Sequence, residues 1–180
     1  MKKYNTIFLD RDGTLNPDPG YISDLHDFQF FPFIIDALKK MSACCDQFCI
    51  VSNQSGIARG LIKEEKLNEI HHFICNTFKE NDLDLVDIYF CPDHPDDATE
   101  YRKPGIGMFN KAASDFNIDL QNSLMVGDAV SDMEAGVKLG MDTMLVLTGK
   151  GPETMQKMKK DQMPKYVVEN LLVGAELITS

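Results

Sequence analysis

Short apolar runs alternate with helical stripes along this chain. Residues 6–9 form a run with no helical period that stops at Asp10-Arg11-Asp12-Gly13-Thr14. Phe48-Cys49-Ile50-Val51 stops in the same way at Ser52-Asn53-Gln54-Ser55-Gly56. Further runs at 86–90, 124–126, 143–147 and 166–168 end at Cys91-Pro92-Asp93-His94, Gly127-Asp128, Thr148-Gly149-Lys150-Gly151 and Glu169-Asn170. Continuous apolar runs of this length, closed by polar turns, predict strands buried on both faces. Between them, Phe33, Ile34, Ala37, Leu38 and Met41 fall at helical spacing, as do Leu67, Ile70, Phe73, Ile74 and Phe78. Met108, Ala112 and Phe116 make a third stripe, and Met133, Val137 and Met141 a fourth that Gly140 should end. Residues 171–178 predict a closing helix, and the charged stretch 152–163 an exposed helix or loop.

Strand and helix therefore alternate, which predicts an α/β fold: a Rossmann-like three-layer sandwich with a mostly parallel central sheet. In such sheets ligands bind beyond the carboxyl ends of the strands, where each polar cluster sits. Two long loops, 16–33 and 91–104, interrupt the alternation. With 180 residues and no linker or repeat, the chain reads as a single domain, 1–180.

Charge narrows the partners. Lys and Arg number 18 against 28 Asp and Glu, a net charge of −10. That field disfavours nucleic acid and anionic membrane surfaces, and a small phosphorylated metabolite would need a local island of positive charge. No apolar run is long enough to span a membrane. The five cysteines are odd in number and lack C-x-x-C spacing, so they read as reduced thiols of a cytoplasmic, monomeric protein.

Asp10 and Asp12 stand two apart at a strand end, a spacing that would place both carboxylates on one side. A lone D-x-D could be a solvated turn. Here Phe8-Leu9-Asp10-Arg11-Asp12-Gly13-Thr14-Leu15 is followed by Ile50-Val51-Ser52-Asn53, Arg102-Lys103-Pro104 and Gly127-Asp128-Ala129-Val130-Ser131-Asp132. In order, these resemble the four signatures of the haloacid dehalogenase superfamily of phosphotransferases. The resemblance implies that Asp10 attacks phosphorus and that Asp12 exchanges protons with the leaving oxygen and with water. It implies that Ser52 and Lys103 hold the phosphoryl group, and that Asp10, Asp12 (through its backbone carbonyl) and Asp128 bind Mg²⁺. Asp132 would orient Lys103. Protonation and ionisation in turn would require an Asp12 pKa well above that of a free Asp.

Asn16-Pro17-Asp18-Pro19-Gly20-Tyr21 and Ser52-Asn53-Gln54-Ser55-Gly56-Ile57-Ala58-Arg59-Gly60 are similar to the branch that contains heptose bisphosphate phosphatases and histidinol-phosphate phosphatases. That branch lacks a large cap domain, so loops would select the substrate. The resemblance implies substrate contacts at Asp18, Gly20, Tyr21, Asn53, Gln54, Ser55 and Arg102. Arg102 and Arg59 would form the basic island for a second phosphate, although Arg59 reads equally as a surface charge, Tyr21 as loop packing and Asn53 as a helix cap. Many members bind zinc through C-x-H and C-x-C; here Asp93 replaces the histidine and no cysteine follows Cys91, so no structural zinc is expected. The activity implied is hydrolysis of a sugar phosphate, with the 7-phosphate of a heptose 1,7-bisphosphate as the first expectation. Histidinol phosphate, served by Asp18, Asp93, Asp96 and Asp97, and a non-catalytic phospho-ligand-binding domain are the alternatives.

Overall fold

A computed structural model describes residues 2–159 and 162–180. Six strands appear where the apolar runs predict them: β1 (Tyr4–Leu9), β2 (Cys45–Asn53), β3 (Leu85–Cys91), β4 (Leu124–Gly127), β5 (Asp142–Val146) and β6 (Tyr166–Val168). They form one sheet in the order β3-β2-β1-β4-β5-β6, with every pairing parallel. The helices are α1 (Ile34–Met41), α2 (Glu64–Glu80), α3 (Gly107–Phe116), α4 (Val130–Lys138), α5 (Gly151–Lys157) and α6 (Leu171–Thr179). Asn170 starts α6 by accepting the Leu172 and Val173 amides at 3.0 and 3.1 Å, which satisfies two of the helix's orphan donors.

Alternate strand residues feed two cores. Ile7 and Leu9 of β1, Phe48 and Ile50 of β2, and Leu124 and Val126 of β4 pack with α1, α2 and α6. Phe8, Cys49, Val51 and Met125 point the other way, onto α3 and α4. Each fully buried Leu, Ile or Phe contributes about 1.5–3 kcal/mol, and both cores fix the strand ends that carry the site. The order reverses at β1, whose neighbours β2 and β4 lead to opposite flanks, so the end of β1 is the natural ligand crevice.

Loop 16–33 forms no separate cap. It holds one 3₁₀ turn, Leu25–Asp27, and sends Ile22 and Phe28 into the first core. Some stripe positions are not core. Val137 faces solvent because α4 approaches the sheet along Met133, Ala135 and Gly136 instead, and Phe116 is exposed at the end of α3, which packs through Met108, Phe109 and Ala112. A Cβ on Gly136 would collide with Thr143, so the helix lies close to the sheet there. Phe73 is half exposed and stacks on Phe30 with a 6.0 Å centroid separation. Gly140 ends α4's last turn at φ +69°. The stretch 152–163 is helical through Lys157, and its residues 160 and 161 lie outside those described. All five cysteines are free and four are buried. Burial pushes the Cys45 thiol up to about 12 and that of Cys91 to about 11, which makes them inert packing groups. Among the described residues no helix is long and apolar enough to cross a membrane.

Candidate active site

The carboxyl ends of β1, β2 and β4 and the loops after β3 and β5 enclose a cleft of about 300 Å³. Its floor is a set of buried charges. Lys103, in the loop between β3 and α3, directs Nζ at Asp10 Oδ1 (2.7 Å), the Val51 carbonyl (2.7 Å) and Asp132 Oδ1 (2.6 Å). The first two are hydrogen bonds and the third is a close ion pair. Asn53, at the end of β2, fixes the Lys103 backbone from both sides: its Nδ2 donates to the Lys103 carbonyl and its Oδ1 accepts the Lys103 amide, each at 3.0 Å. Asn53 is therefore not a helix cap. The other Asp132 oxygen accepts the Ala129 amide at the start of α4 (3.1 Å).

Asp128, just after β4, is held by the Lys150 amide at 2.7 Å. Glycines let three loops close on it. A Cβ on Gly13 (φ +89°) or Gly149 (φ +52°) would overlap the Asp128 carboxylate, and the Thr148 hydroxyl ties the loops together through the Gly13 carbonyl (2.6 Å). One oxygen each of Asp10, Asp128 and Asp132 lie within 4.8 Å of one another. Three buried carboxylates stand against one buried ammonium. Burial raises the Asp10 pKa, and the charges of Asp132 and Asp128 raise it further against the opposing pull of Lys103. Burial and then Asp132 lift Asp128 to about 7. Burial opposes the charge on Lys103, but its two carboxylates win and raise its pKa. A hard divalent cation would balance this excess, and an all-oxygen donor set is what Mg²⁺ takes, so the residues fit that ion.

Asp12 belongs to a separate network, because the chain turns beyond Leu9 and the strand period no longer applies. Arg11 Nη2 donates to its Oδ2 at 2.8 Å, Asn16 Nδ2 to Oδ1 at 2.9 Å and Gln54 Nε2 to Oδ2 at 2.7 Å. This corrects the expected raised pKa. Burial pushes Asp12 up, but the Arg11 charge and the bonds from Arg11, Asn16 and Gln54 outweigh it and hold the carboxyl below its usual range. Arg11 itself is fully buried, its guanidinium 5.9 Å from the Phe28 ring. Nearby His71 is held neutral, its pKa lowered to about 4 by burial and then by Arg11.

Of the remaining expected residues, Asp18, Gly20, Tyr21, Ser52, Asn53, Gln54, Ser55 and Arg102 all line the cleft. Ser52 accepts from Gln54 Nε2 at 2.8 Å. Arg59 does not line it. The turn that follows Gln54 carries Arg59 outward, with Gly60 at φ +69°, and leaves it exposed. Asp93, Asp96 and Asp97 are also outside the lining. Asp93 instead braces its own loop. Its Oδ2 accepts the Thr99 amide (2.8 Å) and hydroxyl (2.6 Å), while its carbonyl accepts from Arg102 Nη1 (3.0 Å). Arg11, Asn16 and Lys150 have roles that the sequence alone does not assign: Arg11 and Asn16, within motifs of the resemblance, hold Asp12, and Lys150 lies in a strand-end cluster that points to the cleft.

An α/β sandwich whose strand ends gather Asp10, Asp12, Ser52, Lys103 and Asp128 has the design of a haloacid dehalogenase-type hydrolase. The HAD-hydrolase-like family model matches residues 100–173. A curated D-glycero-beta-D-manno-heptose-1,7-bisphosphate 7-phosphatase of Pasteurella multocida is 41% identical over 185 residues, 99% of this chain and 97% of the relative. The protein of that name from Yersinia pestis is 41% identical over 152 residues, 80% of this chain and 81% of the relative. A solved D,D-heptose 1,7-bisphosphate phosphatase from B. bronchiseptica, complexed with magnesium and phosphate, superposes with a TM-score of 0.85 at 31% identity, covering 97% of both chains. The chain belongs to the D-glycero-beta-D-manno-heptose-1,7-bisphosphate 7-phosphatase family of HAD-like hydrolases.

Proposed function

We propose that this protein removes the 7-phosphate of D-glycero-beta-D-manno-heptose 1,7-bisphosphate in an Mg²⁺-dependent reaction through an aspartyl-phosphate on Asp10. The observation that carries the reading is the buried Asp10–Lys103–Asp132 cluster beside Asp128 at the tip of β1. Lys103 occupies Asp10 Oδ1 and keeps positive charge where a phosphoryl group must approach a carboxylate. The other Asp10 oxygen attacks phosphorus; the Oδ2–P bond forms as the bond from phosphorus to the sugar oxygen breaks. Asp12 gives its proton to that sugar oxygen. In the second step Asp12 takes a proton from water, whose oxygen displaces the Asp10 carboxylate and releases inorganic phosphate. Arg11, Asn16 and Gln54 hold the Asp12 carboxyl below its usual range, so Asp12 acquires the proton it donates from solvent or from the phosphate monoanion as the negative charge of the substrate raises its proton affinity. Ser52 and Lys103 hold phosphoryl oxygens. Asp10, the Asp12 carbonyl and Asp128 would hold Mg²⁺, which supplies positive charge to the carboxylates and phosphoryl oxygens when bound.

Arg102 grips the phosphate that is not transferred. Its Nη1 bonds a neutral carbonyl rather than a carboxylate, so its charge is uncompensated. The loop before it works without zinc. Two of the donors that could serve a metal are engaged within the loop, His94 Nδ1 with the Asp96 amide (3.2 Å) and the Asp93 carboxylate with Thr99. A cytoplasmic location suits five free thiols. The test is phosphate release from the heptose bisphosphate, fructose 1,6-bisphosphate and histidinol phosphate with and without Mg²⁺. Highest kcat/KM on the first, loss without Mg²⁺, and a fall of at least about 10⁴-fold in Asp10→Asn are expected. An active Asp10→Asn would remove the covalent mechanism, and preference for histidinol phosphate would remove the substrate. Elemental analysis of protein purified without chelator should show no stoichiometric zinc.

A further inference from the structure

Three cations line the cleft: Lys103, Arg102 and Lys150. Lys103 sits on the cleft floor beside Asp10 and Asp132, where the phosphoryl group reacts. Arg102 and Lys150 arrive from the loops after β3 and β5, on opposite sides of β1 in the sheet, and their electrostatic states differ. Arg102 is bonded to a carbonyl and keeps its full charge. Lys150 Nζ lies 2.8 Å from Asp18 Oδ2, with the lysine side chain 64% exposed and that of Asp18 only 10%. The other Asp18 oxygen accepts the Gly20 amide at 3.0 Å. Asp18 and Lys150 therefore form a neutral pair, oriented at the carboxylate end and open to the cleft at the ammonium end.

We propose that Lys150, paired with Asp18, is a specificity residue that binds the sugar hydroxyls of the substrate rather than either phosphate. This rests on the sugar-bisphosphate reading given above. Held against the nearly buried Asp18 carboxylate, Lys150 brings little net charge to an approaching phosphate. The Asp18 carboxylate beside it would also repel that anion. Kept intact, the pair offers N–H donors and a carboxylate acceptor side by side. That suits a polyol, whose hydroxyls both donate and accept. The division of labour follows from charge: the uncompensated Arg102 takes phosphate and the compensated Lys150 takes hydroxyls. Because the backbone amide of Lys150, not its side chain, holds Asp128, side-chain substitutions leave the carboxylate cluster in place.

The experiment compares wild type, Lys150→Met, Lys150→Arg, Asp18→Asn and Arg102→Ala on the heptose 1,7-bisphosphate, on a sugar monophosphate and on p-nitrophenyl phosphate, which has no sugar hydroxyls. Lys150→Met should lower kcat/KM about 10- to 100-fold on both sugar substrates, the range of a lost hydrogen bond to a charged group, and less than about threefold on p-nitrophenyl phosphate. Lys150→Arg should recover most of the loss. The double variant Asp18→Asn/Lys150→Met should be no worse than the worse single, as for residues that act as one unit. Equal losses on all three substrates would overturn the proposal, as would no loss or a loss confined to the bisphosphate. If the wild type turns over the bisphosphate no better than p-nitrophenyl phosphate, the substrate reading falls and takes this one with it. If the wild type prefers the bisphosphate, Arg102→Ala abolishes that preference and Lys150→Met does nothing, Lys150 alone is excluded.

Discussion

The floor and the rim of the cleft are built on different physics. On the floor, Asp10, Lys103, Asp128 and Asp132 are each 7% exposed or less, and every contact is charge-assisted. On the rim, Asp18, Tyr21, Ser55, Arg102 and Lys150 come from four loops and remain partly in water. Low dielectric makes each floor group indispensable to its neighbours, since an unpaired buried charge is costly. Rim groups are screened and replaceable one at a time. On the proposed function, the floor sets what reaction can occur and the rim which molecule undergoes it.

The largest break in that contrast comes from Lys103. Lys103→Ala leaves Asp10 and Asp132 buried without their shared counter-charge. kcat should fall about 10²- to 10³-fold, and stability in chelator should drop about 3–5 kcal/mol, as when one partner of a buried pair is removed. Denaturant unfolding and steady-state rates on one preparation check both. A variant that keeps kcat within tenfold would mean that the floor does not act as a unit. Asn53→Ala sharpens the point, because it touches only the two bonds that orient the Lys103 backbone. A fall of about tenfold in kcat with KM little changed is expected if that orientation matters.

A smaller effect belongs to the loop that delivers Arg102. Asp93→Ala removes both Thr99 bonds, at 2.8 and 2.6 Å, and loosens the turn whose carbonyl steadies the guanidinium. KM for the bisphosphate should rise about three- to tenfold at nearly constant kcat, about what a modest net hydrogen-bond loss yields. Asp93→Asn should restore it, since a carboxamide oxygen can accept both bonds. If Asp93→Ala lowers kcat instead, the loop supports the floor and not the rim.

The same contrast explains what could be read from sequence. Asp10 and Asp128 were legible because each closes an apolar run, and a parallel sheet brings such ends together, whereas Lys103, in a long loop, and Asp132, inside α4, were legible only through the family resemblance. The strands followed from the same runs, while their order in the sheet did not. What escaped depends on how side chains curl in space. Arg11 is adjacent to Asp12 in sequence, yet nothing in the letters says that its guanidinium folds back to depress the Asp12 pKa. Lys150 and Asp18 meet only because two loops cross the cleft mouth. Val137 fits a helical stripe but faces water, since Gly136 sets the line of closest approach to the sheet.

Arg59 gives the smallest expected effect and the sharpest limit on the rim. Its place in a motif beside Asn53 and Ser55 suggested a second cation for phosphate, but backbone geometry decides otherwise. The Arg59 amide donates to the Ser55 carbonyl at 3.1 Å and the Gly60 amide to Ile57 at 2.9 Å, closing successive turns. Gly56 is packed so tightly against Ile62 that a Cβ there would clash, which anchors the base of the turn and leaves its tip, with Arg59, in solvent. Lone exposed charges contribute little. Arg59→Ala should therefore change kcat/KM for the heptose bisphosphate by less than about twofold at physiological ionic strength. A larger loss that disappears at high salt would show long-range attraction of the anion to this face. A larger loss that survives high salt would mean that the turn swings Arg59 into the cleft when substrate is bound.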